Sequence, residues 1–393
     1  MFNVNLLSRY IPIVLVSASL VACNKDDDDN GITPPDNLRS AIDYSKLTDT
    51  TAYANFFADN SGAKTVDLTP GSTQLLMFRA INTYNGTAVG TGATLDSTVL
   101  KNMFSNTGNP FTDAALNTSG VNLRSIFASS LPAADAEKER KTLEAAFGPI
   151  ATASKSVTAT ASEGKAGKLV TGTSSYLVDA KGIEWAQIIQ KSMIGGLQVD
   201  YISNVLLSDK NLALDNSKVV TGKKYTELEH NWDQIFGLLT ANPVYGSKAT
   251  ATSSGESFIG SYLWEYNKED FPKIHTALLK GRAAIVNNDP TTLKAQVAIL
   301  RPALEKALAG AALGYLGKWK TNATNDAARA HAIGEGLGFI YSLRYAKING
   351  ADAAFSDTIL AGLIGAPNGF WGLTNTKIDA AAAAIRTKFK ITN

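Results

Sequence analysis

The chain is poor in the residues that most often carry chemistry. Its 393 residues include one cysteine and three histidines. A lone cysteine excludes an intramolecular disulfide and any thiolate-based metal cluster. Charged residues make up 18% of the chain and the formal net charge is +2. That balance argues against nucleic acid as a partner, because a phosphate-tracking surface needs clustered Lys and Arg. Beyond the N-terminal segment, no apolar run approaches the roughly 20 residues that a membrane-spanning helix needs. The His-Glu-x-x-His pair of zinc peptidases is missing, and so is the Gly-x-Ser-x-Gly turn of serine hydrolases.

What is present begins with an address. Residues 1–22 form a short, weakly basic stretch with Arg9, then the apolar run "IPIVLVSASLVA". That run is too short to remain as a spanning helix. It ends in "LVAC", Leu20 to Cys23, which resembles a bacterial lipobox. The resemblance implies cleavage before Cys23 and acylation of its thiol and new amine, so that the lipid would be the chain's membrane anchor. The alternative is an ordinary secretory signal with a cysteine near its cut. Residues 23–43 carry Asp26 to Asp29 and Pro34-Pro35, a like-charge run and a stiff dipeptide that read as a solvated tether. The opening Cys-x-Lys-Asp-Asp resembles the signal that sends lipoproteins of Bacteroidetes-type bacteria to the outer face of the outer membrane. Calcium binding by the aspartates lacks the glycine turn and closing glutamate of an EF-hand loop.

Residues 44–393 read as one all-α domain: a large helical bundle of one or two packed lobes, with long surface loops and at most one hairpin. Helical periodicity is expected over 43–60, 69–84, 135–147, 181–207, 224–241, 256–266, 269–288, 290–316, 323–347, 351–364 and 376–388. Pro70 suits a helix start and Gly148-Pro149 a stop. "KLVTGTSSYLV", residues 168–178, alternates around a glycine turn and reads as the hairpin. Loops are expected at 85–95, 151–175 and 242–255.

Two of the three histidines lie on helices with an acid one turn on and glycine on the same side. In "ELEHNWDQIFG" (227–237), Leu228, Trp232, Ile235 and Leu239 form an apolar stripe, and His230, Asp233 and Gly237 fall opposite. A glycine in an exposed helix interior costs about 1 kcal/mol, so Gly237 predicts that something approaches this face. In the helix of 325–345, His331, Glu335, Gly338 and Ser342 share one stripe beside Gly334. Such His–carboxylate pairs on facing helices are how bundles build metal sites; equally, the carboxylate can orient the imidazole or take its proton. On "KGIEWAQIIQKSMIGGLQ" (181–198), Glu184, Gln187, Lys191 and Gln198 line one side. Alone this face reads as solvated; turned inward, it would add a carboxylate, an amide and an ammonium to a common polar cavity. His275, beside Ile274 and Leu278, reads as a satisfied core histidine. Tyr262, Trp264 and Tyr266 read as core and rim, although a glycan platform would use the same residues.

"GIEWAQIIQK", "ELEHNWDQIFG" and "HAIGEGLGFIYSLRY" resemble, in that order, the landmarks of a family of uncharacterised Bacteroidetes lipoproteins whose central motif runs His-Trp-Asp-Glu-Ala-Phe-Gly. That family is more distantly similar to imelysin-like proteins, which are helical, envelope-located, linked to iron acquisition and marked by His-x-x-Glu. The resemblance implies a surface lipoprotein that binds a divalent or iron cation, a metal chelate or an outer-membrane transporter. The metal ligands would be His230, Asp233, His331 and Glu335, with Glu184, Gln187, Lys191 and Ser342 lining the cavity. The alternative is a scaffold or a glycan- or peptide-binding accessory with structural histidines. Here Asp233 stands where imelysins have Glu, and Asn231 interrupts the His-Trp pair. The register therefore leaves open whether His230 or Asp233 points inward. No catalytic residue is expected.

Overall fold

Helices account for most of the chain. A computed structural model describes residues 38–392, all within one unit, Asn37–Asn393. Cys23, the signal segment and most of the tether lie outside the described residues. In chain order the longer helices are α1 (Gly71–Thr91), α2 (Ser97–Ser105), α3 (Ala133–Ala145), α4 (Phe147–Ser154), α5 (Trp185–Met193) and α6 (Glu227–Leu239). There follow α7 (Ile259–Tyr266), α8 (Phe271–Val286), α9 (Pro290–Thr321), α10 (Asp326–Ser342), α11 (Ala353–Ile364) and α12 (Asn375–Phe389). Between α4 and α5 sits a hairpin, β1 (Gly167–Thr171) and β2 (Ser174–Val178), antiparallel with Gly167 opposite Val178 and Thr171 opposite Ser174. The all-α expectation holds, and the single hairpin falls where the alternation placed it.

Local chemistry starts these helices. Thr226 and Glu229 form a reciprocal capping box at α6, which satisfies two of its orphan N–H groups. Asp289 caps α9 ahead of Pro290, and Asn325 caps α10; Pro at the first helical position has no N–H to lose. Packing then arranges them. α9 runs through the core against α7, α8, α10 and α12, while α10 also packs on α5, and α6 on α1 and α8. Small residues permit the close crossings. A Cβ at Gly281 would collide with the Trp232 ring, and one at Gly314 with Tyr266.

Three expectations need correction. Residues 43–60 form only a 3-10 turn, Tyr44–Lys46, and one α-turn, Tyr53–Phe56. Hydroxyls there compete with the helix: the Thr51 Oγ1 accepts from the Thr48 N–H at 3.0 Å, and such local bonds favour turns. The Gly148-Pro149 stop becomes a break: α4 begins directly after α3, with Pro149 inside its first turn. The loop expected over 85–95 is helix as far as Thr91, where Gly92 at φ 75° ends it. Asn85-Gly86 reads as a turn dipeptide, but Ala88, fully buried, holds the segment helical.

α5 continues into two π-helical segments, Ile194–Val199 and Tyr201–Leu206. Gln198 sits there, buried, its Nε2 donating to the Leu238 carbonyl at 2.9 Å and its Oε1 accepting from the Ile259 N–H at 3.1 Å. Gln198 is thus a strut between helices.

Candidate functional site

α10 and α5 cross so closely that their backbones nearly touch. A Cβ at Gly334 would press on Glu184, and one at Gly338 on Lys191 and the Gln187 carbonyl. The glycines beside His331 therefore exist to admit α5, and this approach turns the polar face of α5 inward. Glu184, just before α5, reaches His331: its Oε2 lies 2.8 Å from His331 Nδ1. One turn along α10, Glu335 Oε2 is 3.8 Å from His331 Nε2, and Glu335 Oε1 is 2.8 Å from the Lys191 ammonium. The Tyr262 hydroxyl donates to Glu335 at 3.2 Å. Lys191 also donates to Gln190 Oε1, and Gln190 to Asn82 of α1.

These groups differ in exposure. Lys191 is 3% exposed and Glu335 9%, whereas the His331 side chain is 28% exposed. His331 opens on a cavity of about 400 Å³ walled by α1, β2 and α5, with Asn82, Asn85, Gly86, Gly90, Tyr176, Glu184, Gln187 and Gln190 in its lining. The Tyr176 ring stacks on the imidazole, centroids 4.1 Å apart and planes 15° from parallel. Glu335 and Lys191 stand behind His331. Burial by itself would lower the His331 pKa, but the hydrogen bond and charge of Glu184, with Glu335 beyond, hold it above its ordinary value. Burial likewise disfavours the charged forms of Glu335 and Lys191. Lys191, helped by His331, holds Glu335 below the carboxylate norm; Tyr262 and Glu335 hold Lys191 above its own.

The residues of α6 do not join this group. Asp233 is fully buried, 2.9 Å from Arg282 Nε of α8 and 2.9 Å from the Tyr53 hydroxyl that donates to it. Glu229 accepts from Arg282 Nη1 at 2.7 Å and also pairs with Arg39. Burial pushes the Asp233 carboxyl up to about 6, against the pull of Arg282 and Tyr53. His230 stacks on Tyr225, centroids 4.4 Å apart, and burial lowers its pKa. Asn231 is tied by its own amide to the Leu206 carbonyl at 2.8 Å. Asp233, not His230, therefore takes the inward position, but its partner is an arginine. The shared site of His230, Asp233, His331 and Glu335 is corrected to two clusters: α6 faces Arg282 and the segment before α1, not α10.

Other placements follow. Ser342 is fully buried and donates to the Lys191 carbonyl at 2.7 Å, so it belongs to the helix seam and not to the cavity. Of the residues expected to line the cavity, Glu184 and Gln187 do so. Gly237 is approached as expected: a Cβ there would collide with the Leu68 carbonyl and crowd the Ser72 N–H. His275 accepts from the Tyr245 N–H at 3.1 Å through Nδ1 and donates to the Thr51 carbonyl through Nε2 at 2.8 Å. It is a satisfied core residue. Among the described residues, no three or more His, Cys, Asp or Glu side chains are arranged to hold a metal ion, and no helix is long and apolar enough to cross a membrane.

A family model described as a domain of unknown function, DUF4856, matches residues 53–392. The chain belongs to this family. No curated protein and no solved structure matches it. Within this DUF4856 domain, both clusters and the cavity fall inside the matched span apart from Arg39. Sequence reasoning missed Arg282, Arg39, Tyr176, Asn82 and Asn85. Arg282 lies in "KGRAAIV", with no acid at helical spacing to betray its partners. Tyr176 could have been flagged as the aromatic of the hairpin that precedes "GIEWAQ".

Proposed function

We propose that the chain is a lipid-anchored binding protein of the cell envelope whose ligand enters the cavity at His331. One observation carries this reading. Two residues of the cavity lining hold buried amide atoms with no protein partner, while the charged groups around it are matched. Among the described residues, the buried side chain of Asn85 has no hydrogen-bond partner at either Oδ1 or Nδ2, and Gln187 Oε1 has none. Buried polar atoms are almost always satisfied, so these amides suit a ligand. Binding is favoured over catalysis because carboxylates near both ring nitrogens of His331 favour its charged form, which cannot act as a general base. The lipobox at Cys23 and the acidic residues after it support an anchored location on the outer face of the outer membrane, beside a transporter.

The metal reading rests on the imelysin resemblance and on the convergence of His331, Glu184 and Glu335. The donor set fits a cation poorly. Glu184 already occupies His331 Nδ1, and Lys191 neutralises Glu335 from 2.8 Å, so an ion would compete with a resident ammonium. Metal analysis of the detergent-solubilised full chain separates the readings. We expect no stoichiometric metal, and no difference between wild type and His331→Gln or His230→Gln. Stoichiometric iron or zinc that disappears in His331→Gln alone would overturn the first reading in favour of the second.

A further inference from the structure

Helix α1 has an unusual face where it meets the cavity. Asn82, Gly86 and Gly90 follow one another at one-turn spacing, with Asn85 and Val89 alongside, and all five line the cavity. Most glycines in this fold are explained by a neighbour or by a positive φ. Gly86 and Gly90 are not: a Cβ at either would meet nothing within 4 Å, and neither has a left-handed backbone. Alanine would serve a helix interior better. What the two glycines do is leave room. Between them and the core, Asn85 is 3% exposed with its whole amide unpartnered.

The chemistry of the walls narrows the ligand. Amides come from Asn82, Asn85, Gln187 and Gln190. Gln190 is already bonded to Lys191 and to the Asn82 oxygen, whereas Asn85 keeps both a donor and an acceptor unpartnered and Gln187 keeps its oxygen. The charges are internally matched, His331 with Glu184 and Lys191 with Glu335. A second cavity of about 420 Å³ shares Asn82 and Gln190 with the first and is lined by Tyr262. Its acids are also matched: Glu265 by Lys318 at 2.8 Å, and Glu256 by Thr240, Asn242 and the Gly246 N–H. Both volumes lie within the roughly 300–1,000 Å³ of small-ligand sites. Among the described residues, Arg79 of the second compartment donates to Ser257 at 2.8 Å without an acidic partner. The other charges are paired, so a ligand with several free charges would find little unmatched counter-charge. A ligand with adjacent hydroxyls and apolar C–H faces would find the open amide of Asn85, the Gln187 oxygen, and a ring in each compartment.

Resting on the binding reading above, we propose that the two compartments form a cleft for a neutral oligosaccharide, with Asn85 as its buried anchor and Tyr176 and Tyr262 as its flat walls. The test is saturation-transfer NMR on the detergent-solubilised full chain with cellobiose, maltose, lactose and triglycine as separate probes. At least one disaccharide is expected to receive saturation, and its affinity to fall about tenfold or more, equivalent to 1.4 kcal/mol, in Gly86→Leu and in Asn85→Leu. Gly86 is exposed, so its leucine variant serves even where the buried Asn85 replacement does not fold. Disaccharide signals that survive Gly86→Leu unchanged would overturn the proposal. Signals from triglycine alone, lost in Gly86→Leu, would refute the carbohydrate assignment and leave the binding cavity standing. Silence from all four probes would remove both.

Discussion

The molecule holds two clusters built from the same kinds of residues, and they end in opposite states. On α6, Glu229 and Asp233 are closed in by Arg282, Arg39 and Tyr53, with the carboxylates and Arg282 fully buried. On α10, Glu335 and Lys191 are similarly shut away, but His331 and Glu184 stand at the edge of a cavity in whose lining Asn85 and the Gln187 oxygen lack partners. Histidine beside an acid at helical spacing marks both. What separates them is the neighbour. A guanidinium from α8 pairs with both carboxylates of one cluster, whereas the bare glycines of α1 leave the other open. The paired carboxylates suit a structural role, and the open amide of Asn85 beside a cavity suits a ligand.

The contrast can be broken first at its most buried point. Arg282→Met leaves Glu229 and Asp233 charged in the core and is expected to cost about 3–5 kcal/mol, measured by denaturant unfolding. A cost below about 1 kcal/mol would mean that the cluster is not the strut described. Next, Glu335→Gln deprives Lys191 of its carboxylate and is expected to cost about 1.5–3 kcal/mol. It should also lower the His331 pKa, a readout that Arg282→Met leaves unmoved.

Gly86→Ala has the opposite sign. It should stabilise the chain by about 0.5–1 kcal/mol while narrowing the cavity, and thermal unfolding will show whether the glycine is dispensable for folding. The smallest effect belongs to His331→Gln, about 0.5 kcal/mol for a partly exposed pair. Its size depends on pH. Because the folded state holds the His331 pKa above 6.5, its contribution is complete below about pH 6.5 and is lost as pH rises through the raised value. Stability curves of wild type and His331→Gln should therefore diverge in mild acid and converge in base.

Much of the architecture was legible because α6 through α12 carry helical periodicity, and all of them but α7 and α8 have a side-chain N-cap. The failures are equally physical. Asn85-Gly86 signals a turn, and only the core contact of Ala88 shows that the segment is helix. This hid Asn85 and the two glycines, which line the cavity with Asn82. The stripe of His331, Glu335 and Gly338 was visible, as was the polar face of Glu184, Gln187 and Lys191. Periodicity cannot say which polar faces meet, so His230 and Asp233 were grouped with His331 on spacing and family resemblance. Arg282, 49 residues beyond Asp233, decides that question and leaves no local trace.

The chain's three histidines give the account its most direct test. One lies in the open cluster, one beside the sealed cluster and one in the core, so imidazole NMR as a function of pH reports on all three at once. The account predicts one resonance with a midpoint above 6.5, absent in His331→Gln, and two with midpoints below it, belonging to His230 and His275. A His331 midpoint at or below 6.5, or a raised one for His230, would contradict the assignment of open and sealed sites.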